Sequence, residues 1–180
     1  MTEPEYLLGL KRHLRIPGLV VDIIGAAGVP RTLVDEAVTR KHDSDRRRRK
    51  HPEDAYDEVW AVFDRDAHPF FAEACQKAQA NAVGLAVSIP SFELWLLLHH
   101  QDQTAPLERH QAVAALAVHV PDADKHVDFA RFAGGLDDAC ARARELDRRA
   151  REGATDGNPT TGVHSLVETL RPEAAGVQRG

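Results

Sequence analysis

The sequence predicts an α/β fold, in which a small, mostly parallel sheet is flanked by helices and the C-terminal half is helical. Two apolar runs, 59–63 and 82–88, are short, continuous and typical of buried strands. A third strand is predicted at 19–24. Because these runs alternate with segments of helical spacing, we expect parallel pairing through right-handed crossovers.

The helices are predicted from apolar residues at helical spacing and from their start signals. Pro30 suits the first turn of one helix, Pro69 begins another, and Ser91 is a suitable N-cap for a short, largely buried helix over 92–100. The remaining predicted helices span 5–14, 107–119, 136–150 and 161–170.

The length and composition indicate one globular domain: the chain has 180 residues, of which 43% are hydrophobic and 28% charged. We assign this domain to 1–171 and predict a disordered tail over 172–180. No apolar stretch reaches the roughly 20 residues of a membrane span, and the acidic N-terminus is not a signal peptide. Cys75 and Cys140 lack metal-ligand spacing and are expected to be small buried residues in a reducing compartment, so we expect a cytoplasmic protein. We also expect no membrane partner.

The net charge of −5 excludes a protein that coats nucleic acid through its whole surface, but it leaves room for a local basic patch. The densest cationic run is Arg46, Arg47, Arg48, Arg49 and Lys50. Each of these side chains can neutralise a phosphate, which predicts nucleic-acid binding. The alternative is a solvated loop, because the run lies in a polar, charged segment over 41–53.

Two carboxylates, Asp64 and Asp66, follow directly on the predicted strand 59–63. Ligands of open α/β sheets bind beyond the carboxyl ends of the strands, so both side chains can point into one crevice. Mg²⁺ takes one or two carboxylates and completes its shell with waters and substrate phosphates. The pair therefore predicts a Mg²⁺ site, and the alternative is that one aspartate only caps the next helix.

Glu93 is a carboxylate in an otherwise apolar segment that closely follows the strand 82–88. Burying a carboxylate is costly unless a cation, a metal or hydrogen-bond donors compensate it, so Glu93 is predicted to belong to the site near Asp64. The alternative is a glutamate favoured by the dipole at a helix N-terminus.

Two further features each have a functional and a structural interpretation. The turn Gly25–Gly28 has the strand-to-helix context of a phosphate cradle but lacks the three-glycine fingerprint of dinucleotide sites. His164 is a candidate general acid or base, because histidine is the side chain best suited to proton transfer near neutral pH, but it can equally be a buried structural histidine.

Five segments, in a fixed order, carry a resemblance to a known family. They are TEPEY at 2–6, the turn ending at Ala27-Gly28, VFDRD at 62–66, FELWLL at 92–97 with TAPL at 104–107, and NPTTGVH at 158–164. Together they resemble RloB-like proteins over nearly the whole chain. The resemblance implies a TOPRIM-related fold, bacterial genes near restriction-modification or phage-defence loci, and Mg²⁺-dependent nuclease activity.

By this resemblance, Asp64 and Asp66 take the position of the TOPRIM aspartate pair that binds metal. We expect a nuclease-type protein that acts on nucleic-acid phosphodiesters, with Glu93 supporting the site and Arg46 to Lys50 steering the substrate backbone. The sequence departs from the family upstream of Thr2, where family members carry a strand ending in Cys-Glu-Gly whose glutamate is the expected catalytic acid or base. We therefore expect impaired turnover in this N-terminally short form.

Two other functions remain open at this point. The first is a non-catalytic module of a defence system that binds nucleic acid or a partner ATPase. The second is a phosphatase or phosphoacceptor enzyme with Asp64 as nucleophile. The second is disfavoured because Ala67, and not a hydroxyl or β-branched residue, follows the aspartate pair.

Overall fold

The computed structural model describes residues 2–22, 30–65, 70–123 and 125–171. Within these ranges the chain forms seven α-helices and three β-strands. The helices are α1 (Thr2–His13), α2 (Pro30–Arg48), α3 (Phe71–Ala80), α4 (Phe92–Leu98), α5 (Arg109–His119), α6 (Leu136–Arg151) and α7 (Val163–Leu170). The strands are β1 (Trp60–Asp64), β2 (Gly84–Ile89) and β3 (Thr160–Thr161).

The three strands form a mixed sheet in the order β1-β2-β3. Strands β1 and β2 pair in parallel from Trp60 opposite Gly84 to Asp64 opposite Ser88, with α3 as the crossover. The two-residue strand β3 pairs antiparallel with the end of β2. The sequence prediction is confirmed for β1 and β2, and the resulting α/β class is correct.

The expectation of a mostly parallel sheet is not confirmed, because only β1 and β2 pair in parallel and the third strand, which overlaps the first residue of the predicted last helix, pairs antiparallel. The predicted strand over 19–24 is not found in its first part, since 19–22 have no regular structure. Its last two residues and the Gly25–Gly28 turn lie outside the described residues, as does the tail 172–180.

The sheet separates two hydrophobic clusters, as the alternation of side chains along β1 requires. Trp60 and Val62 pack against the larger cluster, which is built from α1, α4, α5, α6 and α7. Ala61 and Phe63 face the smaller cluster, to which α2 and α3 contribute. Every residue of α4 is buried, so this short helix forms the centre of the larger cluster.

Helices α2 and α3 lie side by side and run in the same direction. The guanidinium of Arg31, at the start of α2, lies over the ring of Phe70, which precedes α3. Near the other ends of the helices, His42 Nε2 lies 3.1 Å from Asn81 Oδ1. Because a crossover helix returns antiparallel to its strands, the first turns of both helices lie at the carboxyl end of β1.

The charged segment that follows Val38 is helical through Arg48, so the alternative of a solvated loop for the basic run is wrong up to that residue. Its charges favour the helix because they pair at helical spacing: Lys41 Nζ lies 3.4 Å from Asp45 Oδ2. The Arg48 guanidinium donates a hydrogen bond to the Tyr56 carbonyl, shortly before β1 begins. The C-terminal turn of α2 is therefore at the amino end of β1.

The other predicted helices are confirmed with shifts of a few residues at their ends, as the bounds given above show. Among the described residues, no helix combines the length and the apolar composition that crossing a bilayer requires.

Candidate functional site

Asp64 is the last residue of β1 and lies at the carboxyl edge of the parallel strand pair, opposite Ser88. Its side chain is only 11% exposed. The two carboxylate oxygens have different environments. Oδ2 accepts a hydrogen bond of 2.5 Å from Arg109 Nη2, whereas Oδ1 is buried and has no hydrogen-bond partner among the described residues.

The pKa of Asp64 is raised from 3.8 to about 7, and burial is the largest cause. The positive charge of Arg109 and the backbone N–H of Phe92 lower the pKa, but the negative charges of Glu3 and Glu93 raise it further. Asp64 is therefore costly to ionise despite the arginine beside it, and at neutral pH it is readily held in its protonated form.

Glu93 is the second residue of α4 and is 9% exposed. Ser91 precedes the helix but does not cap it; its hydroxyl donates instead to Glu93 Oε2 at 2.5 Å. Because α4 follows directly on β2, Glu93 reaches the same edge of the sheet as Asp64, where its charge acts on the pKa of Asp64. The structure thus brings together two of the three predicted site carboxylates.

The third of these carboxylates, Asp66, lies outside the described residues. Two other residues at this edge were missed by the sequence analysis. Glu3 lies in the first turn of α1, and its position in the TEPEY segment is a signal that could have drawn attention to it. Arg109 opens α5 and reaches Asp64 across 45 positions of sequence, so no local pattern indicated it.

A buried polar row continues from Asp64 across the sheet. Ser88 and Thr161 lie opposite each other on β2 and β3, and their hydroxyl oxygens are 2.9 Å apart. His164 Nδ1 lies 2.9 Å from the Thr161 carbonyl oxygen, and Nε2 lies 3.5 Å from Asp147 Oδ2. Both ring nitrogens of His164 therefore contact groups inside the protein. These contacts stabilise the turn between β3 and α7 and favour the structural interpretation of His164.

The site carboxylates suit a hard cation that binds few protein ligands. Among the described residues, the one group of three side chains whose ligand atoms all lie within 4.8 Å of one another is His51, Glu53 and Asp54, and all three are exposed. Asp64 and Glu93 do not belong to such a closed group. Mg²⁺ requires no closed group, because it uses one or two carboxylates and keeps several waters. The unpartnered Asp64 oxygen and the nearby Glu93 carboxylate fit that pattern.

The basic run Arg46 to Lys50 is exposed, and the structure places it away from this edge. Arg46 to Arg48 form the last turn of α2, and Arg46 Nη2 lies 2.6 Å from Asp43 Oδ1. The run is therefore not brought together with Asp64 and Glu93.

A family model described as RloB-like protein matches residues 1–170. No curated protein and no solved structure matches the chain.

Proposed function

The chain belongs to the RloB-like family, and we propose that it is a Mg²⁺-dependent, nuclease-type protein that acts on nucleic-acid phosphodiesters in a bacterial defence system. The single observation that carries this proposal is the Asp64 carboxylate. It lies at the carboxyl edge of a parallel strand pair, and one of its oxygens is buried without a hydrogen-bond partner among the described residues.

The proposed metal ligands are Asp64 and, by resemblance to the family, Asp66, with Glu93 supporting the site. Bound Mg²⁺ would orient the scissile phosphate and stabilise the charge that develops on the attacking and leaving oxygens. Asp64 would give up its proton and present Oδ1, while Oδ2 stays paired with Arg109. The Ser91 hydroxyl would hold Glu93 in one orientation.

Basic side chains at two places on the molecule would bind the substrate. Arg109 contacts Asp64 and is 54% exposed, so it would lie where a substrate phosphate approaches the site. The exposed basic run Arg46 to Lys50 would steer the nucleic-acid backbone from the far end of α2.

The proposal is tested by assaying hydrolysis of labelled single-stranded and duplex DNA and RNA with Mg²⁺, with Mn²⁺ and with EDTA. The variant Asp64→Asn should lose activity at least about 100-fold, because the charge stabilisation by a catalytic metal is worth several kcal/mol. The matched control is Asp57→Asn, an exposed aspartate before β1, which should keep full activity. Cleavage that persists in EDTA or in Asp64→Asn would contradict the proposal.

The Arg109–Asp64 ion pair favours a second candidate, a non-catalytic module that binds nucleic acid or a partner ATPase. In this case Arg109 permanently neutralises the carboxylate that a metal would need. The two candidates differ in a simple respect: the module binds nucleic acid equally well with EDTA and with Mg²⁺ and shows no cleavage with either.

A further inference from the structure

Two arginine–phenylalanine pairs lie at the carboxyl end of β1. The guanidinium carbon of Arg31 is 5.5 Å from the centre of the Phe70 ring. The guanidinium carbon of Arg65 is 5.2 Å from the centre of the Phe71 ring. Both distances are those of cation–π contacts.

These four residues share the edge of the sheet on which Asp64 lies. Arg65 follows Asp64 directly, and its backbone N–H donates to the Ser88 carbonyl at 2.9 Å. The Arg65 side chain spans the sheet edge, since Nη1 lies 4.0 Å from where a Cβ on Gly157 would stand, in the loop before β3. Arg31 and Phe70 stand at the starts of α2 and α3, which lie at the same end.

The pairs are open to a ligand. Phe70 is 42% exposed, and both guanidinium groups belong to exposed residues. Within the part of the chain that the structure describes, neither Arg31 nor Arg65 has a carboxylate at ion-pair distance. A guanidinium stacked on a ring uses its flat face and keeps the N–H groups along its edge available for phosphate oxygens.

We propose that Arg31, Phe70, Arg65 and Phe71 form a binding surface for single-stranded nucleic acid, which guides the strand to Asp64. What happens to the strand at Asp64 rests on the proposed function, whereas the binding itself does not. The arginines supply phosphate contacts that any nucleic acid can use. Phe70 adds selectivity, because an exposed ring can stack on an unpaired base but not on one already stacked inside a duplex.

The experiment measures fluorescence anisotropy of the full chain with labelled 20-nucleotide single-stranded DNA and RNA and with the corresponding duplexes, all in EDTA so that no cleavage interferes. The unmodified protein should bind the single strands more tightly than the duplexes. Phe70→Ala should weaken single-strand binding at least about fivefold and leave duplex binding unchanged, because base stacking on an aromatic side chain is lost. Phe70→Leu, which keeps the apolar volume, should lose most of the same selectivity.

The charge contribution is measured separately. Log affinity falls as log salt concentration rises. For single strands, Arg31→Gln combined with Arg65→Gln should make this fall less steep by about 1.4, which corresponds to the loss of two phosphate contacts. The matched control is Arg12→Gln combined with Arg15→Gln, which removes the same charge from exposed arginines to which no role in binding is assigned. This control should leave the salt dependence of single-strand binding unchanged.

Equal binding of single strands and duplexes by the unmodified protein, or an unchanged ratio in both Phe70 variants of normal thermal stability, would overturn this inference. Failure of the proposed function is a different result. It would appear as selective single-strand binding that depends on Phe70, without cleavage when Mg²⁺ is added.

Discussion

At the scale of single residues, the unequal environments of the two Asp64 oxygens define the site. Oδ2 is paired with Arg109, whereas burial and nearby negative charges raise the pKa of the carboxyl group to about 7. A metal ion that binds Asp64 must therefore displace a proton below pH 7. Binding of the metal and ionisation of the side chain are linked equilibria.

The first prediction follows from that linkage. The affinity for Mn²⁺, measured by isothermal titration calorimetry between pH 5.5 and 8.5, should fall up to about tenfold per pH unit below pH 7 and level off above it. Arg109→Gln should raise the pH at which the affinity levels off, because the cation that lowers the pKa of Asp64 is lost. Arg12 is an exposed arginine in the last turn of α1, and Arg12→Gln should leave that pH unchanged. A pH-independent affinity would contradict the prediction.

A second prediction at this scale concerns His99, which is buried at the centre of the larger cluster. Nδ1 lies 2.7 Å from the Phe132 carbonyl oxygen and must carry the proton, so Nε2 accepts the hydrogen bond from the Tyr6 hydroxyl at 3.0 Å. Burial lowers the pKa of His99 from 6.5 to about 4. The folded state therefore holds the ring neutral, while the unfolded chain takes up a proton below pH 6.5.

The stabilisation from a neutral His99 is present above pH 6.5 and is lost as the pH falls through 4, with a total of about 3 kcal/mol. Urea unfolding at pH 7.5 and pH 4.5 should show this decrease in the free energy of unfolding. Replacing the exposed His110 with Gln should preserve the decrease, whereas His99→Gln should remove this part of the pH dependence. Equal pH profiles for the two variants would argue against His99 as the cause.

At the scale of secondary-structure elements, the contact of α1 with the rest of the molecule depends on a glycine. A Cβ at Gly9 would stand 2.2 Å from Phe129 Cβ, closer than side chains can approach. Tyr6, one turn earlier, packs edge to face against the same Phe129 ring, with ring centres 5.1 Å apart. The missing side chain at Gly9 thus lets α1 pack directly on this segment.

The third prediction concerns Gly9→Ala, for which helix propensity and side-chain packing predict opposite effects on stability. An alanine in the interior of a helix is favoured over glycine by about 1 kcal/mol, so propensity alone predicts that Gly9→Ala stabilises the protein. The structure predicts destabilisation by about 1–3 kcal/mol, because the new methyl group overlaps Phe129. Gly18→Ala is the control, since no atom lies within 4 Å of its Cβ position. Thermal or urea unfolding of both variants shows whether Gly9→Ala raises or lowers the free energy of unfolding.

The elements also show what the sequence can predict and what it cannot. β1 and β2 were predictable because each is a continuous apolar run, and Asp64 and Glu93 were predictable because they follow those runs closely. The last turns of α2 were missed because their charges suggest a loop, although the charges pair at helical spacing. β3 is only two residues long, and its pairing with β2 depends on tertiary contact and not on a local pattern.

At the scale of the whole molecule, the two faces of the sheet carry cores of very different size. The cluster around α4 includes most of the buried apolar residues, whereas the cluster beneath α2 and α3 is small and contains four alanines, Ala37, Ala61, Ala74 and Ala78. Less apolar area is buried per residue on the α2–α3 side, so this side should open at a lower free energy.

The fourth prediction is a difference in hydrogen exchange between the two sides. Under native conditions, amides in the helical centres of α2 and α3 should exchange faster than those in α4 and α6, as measured by mass spectrometry of peptic peptides. Exchange in strong urea provides the control, because the two sides should then differ only through intrinsic rates. Equal native protection on both sides would show that the molecule unfolds as one cooperative unit.

The length of α2 sets a minimum size for any molecule that contacts both ends of this helix. From Arg31 to Arg48 the helix rises about 26 Å, which equals about eight nucleotide steps along one strand of a B-form duplex. A duplex fragment shorter than this reaches either Arg31 or the arginines of the last turn, but not both. Longer polymers can bridge them and gain affinity through simultaneous attachment.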